Sequence, residues 1–150
     1  MTVQAGRTNI KFVGFWLDNS SGTLTDLTAY LKNPGTVGAI YDTLAVEAVS
    51  DGSKNVVVGI PAMPLSIEFV WDTVILAHLT ALNPQTPLSL DIRYGIRQTQ
   101  VTGEPQFGIT MSSTSGYVIT GITCNGVESI TANFDVFGAT APAFGTTNET

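Results

Sequence analysis

Charged side chains are scarce in this sequence. Aspartate, glutamate, lysine and arginine together make up 12% of its 150 residues, about half the share of ~25% that is usual in globular proteins. So few charges leave the surface of a folded domain thinly charged. Either this protein hides surface in an assembly, or it is poorly soluble alone.

Basic residues are rarer still. Six lysines and arginines, scattered along the chain, stand against twelve acidic residues, and the net charge is −6. Proteins that bind nucleic acids draw their affinity from lysine and arginine side chains that neutralise phosphates. The sequence therefore argues against sequence-specific DNA binding, and its acidic balance suits a surface that must not adhere to DNA.

The residues from which most metal and nucleophilic centres are built are nearly absent. Cys124 is the single cysteine and His78 the single histidine, so an internal disulfide is impossible and a zinc site is close to excluded. We interpret Cys124 as a small core or half-buried residue and His78 as an ordinary helix residue. The run from Asp18 to Ser20 carries oxygen ligands but does not match the calcium loop of EF-hands. We therefore expect no metal and no cofactor.

Carboxylates on separate strands keep one enzyme hypothesis open. Glu68, Asp91 and Asp135 could converge for acid–base chemistry, which needs paired carboxylates. A row of solvated charges on a sheet face is the simpler interpretation. With no stronger catalytic candidate, we expect a protein that is not an enzyme.

Long apolar runs are missing as well. No stretch of the sequence approaches the ~18–20 consecutive apolar residues of a membrane-spanning helix. Residues 1–11 have no apolar signal core. We therefore expect no membrane partner.

What the sequence does have is the period-two alternation of half-buried strands. Residues 65–72 show it most clearly, with Leu65, Ile67 and Phe69 on one side. Residues 24–31 fit either a short helical turn or extended structure. Further strands are expected in residues 10–17, 88–96, 107–111, 117–123 and 127–137.

Residues 73–82 are the one convincing helix. Ile75, Leu79 and Leu82 share a face at helical spacing, and Asp72 can cap the first turn. Together these patterns predict a mainly β fold, an antiparallel β-sandwich or barrel with one flanking α-helix. The predicted units are an N-terminal arm (1–9), a single β-sandwich domain (10–138) and an extended C-terminal tail (139–150).

The stretch of residues 40–63, named here the assembly hairpin, is unusual among the predicted strands. It reads as two arms joined by a polar turn with an Asp-Gly pair, which is typical of hairpins. The arms have too few polar residues for a hairpin with one side in water, so we expect it to dock on its own domain or on another subunit. The residues expected to make subunit contacts are Leu44, Val46, Ala48, Asp51, Gly52, Val56, Val58 and Ile60.

Two stretches carry a resemblance to a known family. Residues 15–31, FWLDNSSGTLTDLTAYL, combine a strand, an Asp-Asn turn and a Gly-Thr-Leu-Thr-Asp segment. Residues 44–72 combine an apolar arm, a polar turn, a second arm and the strand SIEFVWD, which leads into the helix. Both resemble the tail tube (major tail) proteins of long, non-contractile-tailed bacteriophages. The run from Val56 to Ile60 departs from that family, in which relatives often have polar or aromatic residues there.

The resemblance implies a β-sandwich that assembles with itself. In that family six copies form a ring, the rings stack into a tube, and strands of all six copies join in one inner β-barrel through which the genome leaves. Closing such a barrel removes unpaired strand edges. Barrels of ~16–18 strands already hold an aqueous channel, so a larger shared barrel holds a wide one.

The same resemblance implies a place and partners. The protein would be made in the host cytoplasm, reside in the tail of the virion, and meet tape-measure, tail-terminator and distal tail proteins. DNA would pass through without specific binding. We expect the termini and the loop 33–39 to contribute to ring stacking. The residues expected to face the channel are Glu47, Glu68, Asp91 and Asp135.

Two other kinds of protein remain open at this point. A head-decoration or tail-completion protein of the same virion would form trimers or a single capping ring. A β-sandwich module that binds a ligand, for example a carbohydrate, would be a monomer with an aromatic platform. That module would need Trp16 and Trp71 at the surface.

Overall fold

Antiparallel strands make up most of the structure, a computed structural model that describes residues 12–45, 52, 56–95, 100 and 102–150. These residues contain eleven strands, one α-helix and a 3₁₀ turn at Thr28–Tyr30. The elements are β1 Phe12–Asp18, β2 Leu24–Asp26, β3 Leu31–Asn33, β4 Ile40–Ala45, β5 Val56–Ala62, β6 Leu65–Val70, α1 Thr73–Thr80, β7 Leu90–Gly95, β8 Gln106–Ile109, β9 Ser115–Asn125, β10 Ser129–Gly138 and β11 Ala143–Gly145.

The strands form two layers and a separate pair. One layer is five-stranded, in the order β11-β8-β7-β1-β2, and the other is four-stranded, in the order β3-β6-β10-β9. Among the described strands, β4 and β5 pair only with each other. The predicted mainly β, antiparallel fold with one helix is confirmed.

One apolar core lies between the two layers. Alternation along the strands directs Phe15 and Leu17 of β1 into it from one side, and Ile67 and Phe69 of β6 from the other. The rings of Phe15 and Phe69 meet edge to face, with centroids 5.5 Å apart. Strand β6 alternates between buried and more exposed side chains along its whole length, as its sequence predicts.

Helix α1 packs on this core through Ile75 and Leu79, both fully buried. Asp72 caps it as predicted, because its Oδ1 accepts a hydrogen bond of 2.7 Å from the N–H of Val74. The helix ends two residues before the predicted boundary, although Leu82 beyond it is still buried. Within the described ranges, no helix has the length and hydropathy needed to cross a membrane.

Residues 24–31, which fit either a helical turn or extended structure, contain both: β2 and the start of β3 are extended, and a 3₁₀ turn lies between them. Polar side chains explain why no α-helix forms. Asp26 Oδ1 accepts from the N–H of Thr28 at 2.9 Å, and Thr28 Oγ1 accepts from the N–H of Phe15 at 3.1 Å. The first bond closes a local turn, the second ties the segment to β1, and both take the place of helical hydrogen bonds.

Strand β7 departs from its predicted alternation. Its polar side should face water, yet Asp91 and Arg93 are at most 1% exposed. The two form an ion pair of 3.3 Å, and they are covered by residues remote in sequence. Gln100 donates to Asp91 Oδ2 at 2.6 Å, and Arg93 donates to the side chain of Asn148. Burial raises the pKa of Asp91, against smaller lowering effects of Gln100 and Arg93.

The cover of this polar cluster is the C-terminal segment, residues 143–150. Strand β11 pairs with β8 at the edge of the five-stranded sheet, and the ring centroids of Phe144 and Phe107 are 4.8 Å apart. Further on, Thr110 Oγ1 donates to Glu149 Oε2 at 2.5 Å. Part of the predicted tail, Ala143–Gly145, therefore adds a strand to the sheet.

Candidate assembly surfaces

The assembly hairpin is a small sheet of its own. Its pairing runs from Ile40 opposite Ala62 to Ala45 opposite Val56, so the predicted hairpin is confirmed where the structure describes it. The register shifts next to Pro61. Proline has no N–H to donate to a ladder and is found at such irregular positions.

Large apolar side chains of the hairpin stand in water. Ile60 is 90% exposed, Leu44 66% and Val58 57%, and Ile40 and Tyr41 are also exposed. The domain itself therefore leaves these side chains uncovered, which removes one of the two predicted ways of docking. A two-stranded sheet is marginally stable in water, and an exposed apolar patch of this kind marks an interaction surface.

The predicted contact residues of the hairpin divide into three groups. Gly52 is exposed in a bend between the arms, and Val56 begins β5. Those that lie exposed on the two strands are Leu44, Val58 and Ile60. Those that lie outside the described residues are Val46, Ala48 and Asp51.

A groove of about 850 Å³ runs over the outer side of the four-stranded sheet. The loop between β3 and β4 contributes to its lining. Its floor is polar, because every second residue of β6 and β10 points away from the core. We call this floor the outer polar face; its residues are Ser66, Glu68, Thr120, Thr131, Asn133 and Asp135.

Two predicted channel residues lie on the outer polar face. Strands β6 and β10 are neighbours, so Glu68 and Asp135 belong to the same side of one sheet. Glu68 forms an ion pair of 3.4 Å with Lys32, and exposed pairs of this kind contribute little to stability. Asp135 is exposed, and its Oδ1 accepts from the N–H of Val136 at 2.8 Å.

Asp91 is not part of that face, and the prediction that it faces a channel is wrong. It belongs to the five-stranded sheet and is fully buried under the C-terminal segment. Its position also removes the convergence with Glu68 and Asp135 on which the enzyme hypothesis depended. Glu47 lies outside the described residues. Within the described part of the chain, no three His, Cys, Asp or Glu side chains group together as metal ligands.

The free edge of β9 is a feature that sequence reasoning missed. This strand ends the four-stranded sheet, with β10 on one side. On its other side, Leu88 bridges to Tyr117, and no other described strand pairs there. Residues 118–125 carry no charge and no proline, although both commonly protect sheet edges from pairing with other chains. That uncharged run was the signal that could have identified this edge.

The tryptophans do not form the platform of a carbohydrate module. Trp16 is only 7% exposed. Trp71 is partly exposed, and its Nε1 donates to the carbonyl of Gly126 at 2.9 Å. The ligand-binding alternative needs both rings at the surface, and the burial of Trp16 contradicts it.

The structure contradicts the interpretation of the single cysteine and agrees with that of the single histidine. Cys124 is exposed on β9, so its interpretation as a core or half-buried residue is wrong. His78 is half-buried, and its Nε2 donates to the carbonyl of Asp18 at 3.2 Å. Burial lowers the pKa of His78. This agrees with its interpretation as an ordinary, satisfied helix residue.

Among solved structures, the chain is similar to one described as "Cryo-EM structure of the anti-feeding prophage (AFP) baseplate, 6-fold symmetrised". The TM-score is 0.54 at 6% sequence identity, and the match covers 96% of this chain and 97% of that chain. At this identity the likeness shows a shared fold. No family model matches the sequence, and a comparison with curated proteins finds no significant match.

Proposed function

We propose that this chain is a structural subunit of a viral tail tube, and that copies of it assemble into stacked hexameric rings. The observation that carries the proposal is the assembly hairpin, an apolar two-stranded sheet that its own domain leaves in water. The fold shared with a component of a six-fold symmetrised prophage baseplate supports it. The scarcity of charge and the resemblance to tail tube proteins point the same way.

In the proposed ring, the hairpin of one copy adds to the free edge of β9 in the next copy. Backbone hydrogen bonds give such strand addition its affinity, and side chains buried alongside give it specificity. The hairpin and the β9 edge are different surfaces, so the contact is heterologous and can close into a ring. The four-stranded sheets close into one barrel without open edges when the β3 edge at their other end is also paired within the ring.

The outer polar face lines the channel of the proposed tube. Asp135 gives it negative charge that no ion pair among the described residues offsets, whereas Glu68 is paired with Lys32; each copy repeats this charge around the ring. A negative wall repels phosphates, the reverse of the counterion release that drives DNA binding. DNA then passes without being held, and the protein needs no cofactor and no catalytic group.

A charge reversal tests the assignment of this face. Tubes of the Asp135→Lys variant are expected to bind double-stranded DNA, whereas tubes of the wild type do not. Binding should weaken as salt rises from about 50 to 200 mM, because it comes from phosphate contacts. Fluorescence anisotropy of labelled DNA measures this.

The matched control for the charge reversal is Glu128→Lys. Glu128 is also exposed, but it lies in the turn between β9 and β10 and not among the groove residues. The Glu128→Lys variant therefore makes the same change of charge as Asp135→Lys, but outside the proposed channel. If both variants bind DNA equally, the outer polar face does not line the channel.

Electron microscopy of the concentrated, purified chain tests the proposal as a whole. We expect rings and tubes with six-fold symmetry. A chain that stays monomeric at high concentration would contradict the proposal.

In the virion, the expected further partners are the tape-measure, tail-terminator and distal tail proteins.

The baseplate origin of the structural neighbour favours a second candidate. A tail-completion or baseplate component could use the same hairpin to close a ring that does not stack. The micrographs separate the two, since this candidate gives single rings at every concentration. A head-decoration protein would give trimers.

A further inference from the structure

The carboxylate of Asp18, at the end of β1, is buried, and only one of its two oxygens has a hydrogen-bond partner among the described residues. The residue is 1% exposed. Its Oδ2 accepts from the backbone N–H of Ser89 at 2.9 Å, but among the described residues Oδ1 has no hydrogen-bond partner. No described lysine or arginine pairs with it. A buried charge without a partner is costly, so folded proteins supply a proton, a water or a cation in such a place.

Asp18 forms part of the wall of a small cavity of about 70 Å³. The cavity lies between the turn after β1 and the loop that joins α1 to β7. Four further residues whose side chains carry oxygen line it beside apolar ones: Asn19, Ser20, Asn83 and Thr86. The amide oxygens of Asn19 and Asn83 already accept backbone N–H groups, so Ser20, Thr86 and backbone carbonyls are the neutral oxygens left for a ligand. The space is larger than a single water needs.

The neighbouring histidine does not supply the missing positive charge. Its Nε2 is engaged with the backbone carbonyl of Asp18, not with the carboxylate. The site thus combines one negative oxygen with neutral oxygens, a donor set that hard cations prefer.

We propose that this cavity binds a hard metal cation, with Asp18 Oδ1 as its charged ligand. Neutral oxygens of the two loops, together with water, complete the coordination. Calcium sites with more carboxylates bind more tightly, so a site with one carboxylate should have a Kd of about 10⁻⁴–10⁻³ M. The bound ion would tie the turn after β1 to the loop after α1. This inference does not depend on the proposed function.

The test is thermal unfolding of the full-length chain after treatment with a chelator. Calcium, magnesium, potassium and sodium chloride are titrated separately at constant ionic strength, which distinguishes the ion. At about ten times its Kd, the preferred ion should raise Tm by roughly 3–5 °C, and the rise should saturate. Isothermal titration calorimetry with the same ion should give about one site per chain.

Two variants make this measurement decisive. Asp18→Asn keeps the size of the side chain and an oxygen for the Ser89 N–H, so it should fold and lose the response to the ion. Glu128→Gln removes an exposed carboxylate that lies outside both the cavity and the outer polar face, and it should keep the response. If the wild type responds to none of the four ions, or Asp18→Asn responds equally, the proposal is overturned. A protonated or water-bound Asp18 would give that result.

Discussion

A chain with both Leu44→Lys and Ile60→Lys is expected to fold normally and to remain monomeric. Both side chains are mostly exposed in the folded subunit, so their replacement should change the free energy of unfolding by about 0.5 kcal/mol or less. In the proposed ring both are buried between copies. Burial of such a side chain contributes about 1.5–3 kcal/mol, and lysine on a strand edge opposes pairing with another strand.

The expected loss of affinity follows from these magnitudes. Each 1.4 kcal/mol is about tenfold, so losing two contacts weakens every subunit contact by roughly 100-fold or more. Analytical ultracentrifugation over a range of protein concentrations measures the effect as the concentration at which rings first appear. Val74→Lys with Val127→Lys is the matched control, since both valines are also exposed and lie outside the hairpin. Rings at the wild-type concentration in the Leu44 and Ile60 variant would show that the hairpin is not the subunit contact.

Deletion of residues 143–150 is expected to destabilise the domain by about 2–4 kcal/mol. It uncovers Phe107, which is 1% exposed, and burial of such a ring contributes about 1.5–3 kcal/mol. It also removes the hydrogen bonds that Glu149 makes with Gln106 and Thr110, each worth about 1 kcal/mol. The freed conformational entropy of the segment offsets part of the loss.

Urea unfolding followed by tryptophan fluorescence measures this destabilisation. Phe144→Ala in the full-length chain is the graded control, because it removes only the ring contact with Phe107 and should cost about 0.5–1.5 kcal/mol. An unchanged free energy of unfolding in the truncated chain would mean that the segment does not stabilise the sheet. The same truncation tests the predicted role of the tail in stacking, through the length of the tubes it forms.

The sequence predicts a strand of the sandwich correctly where the alternation of apolar and polar residues along that strand is enough to show which side is buried. Strand β6 alternates because one side meets the core, and the pattern of Leu65, Ile67 and Phe69 shows it. Strand β7 has the same kind of alternation at Asp91 and Arg93, yet both of its sides are buried. A polar residue under a covering segment cannot be told from a solvated one by local pattern. Here the cover of Arg93 comes from Asn148, 55 residues further along the chain.

Of the candidate surfaces, the sequence could predict the one that depends on local pattern alone. Too many apolar residues in the arms identified the assembly hairpin without any knowledge of its surroundings. The grouping of Glu68 with Asp135, and the exclusion of Asp91, depend on which strands share a sheet. That is decided by pairing between distant segments, such as β6 with β10, and single-strand patterns carry little information about it.

The isolation of β4 and β5 from both layers has a kinetic consequence. Two strands without a third hold together weakly, so this region of a free subunit opens far more often than the sandwich does. Each capture by a neighbour must then also order the hairpin, and the entropy lost in that step lowers the affinity of the first encounter. A subunit that already contacts two neighbours has an ordered hairpin, so it loses less conformational entropy in the next contact. Nucleation of a ring would be slow and its growth fast, which keeps newly made subunits apart until a template is present.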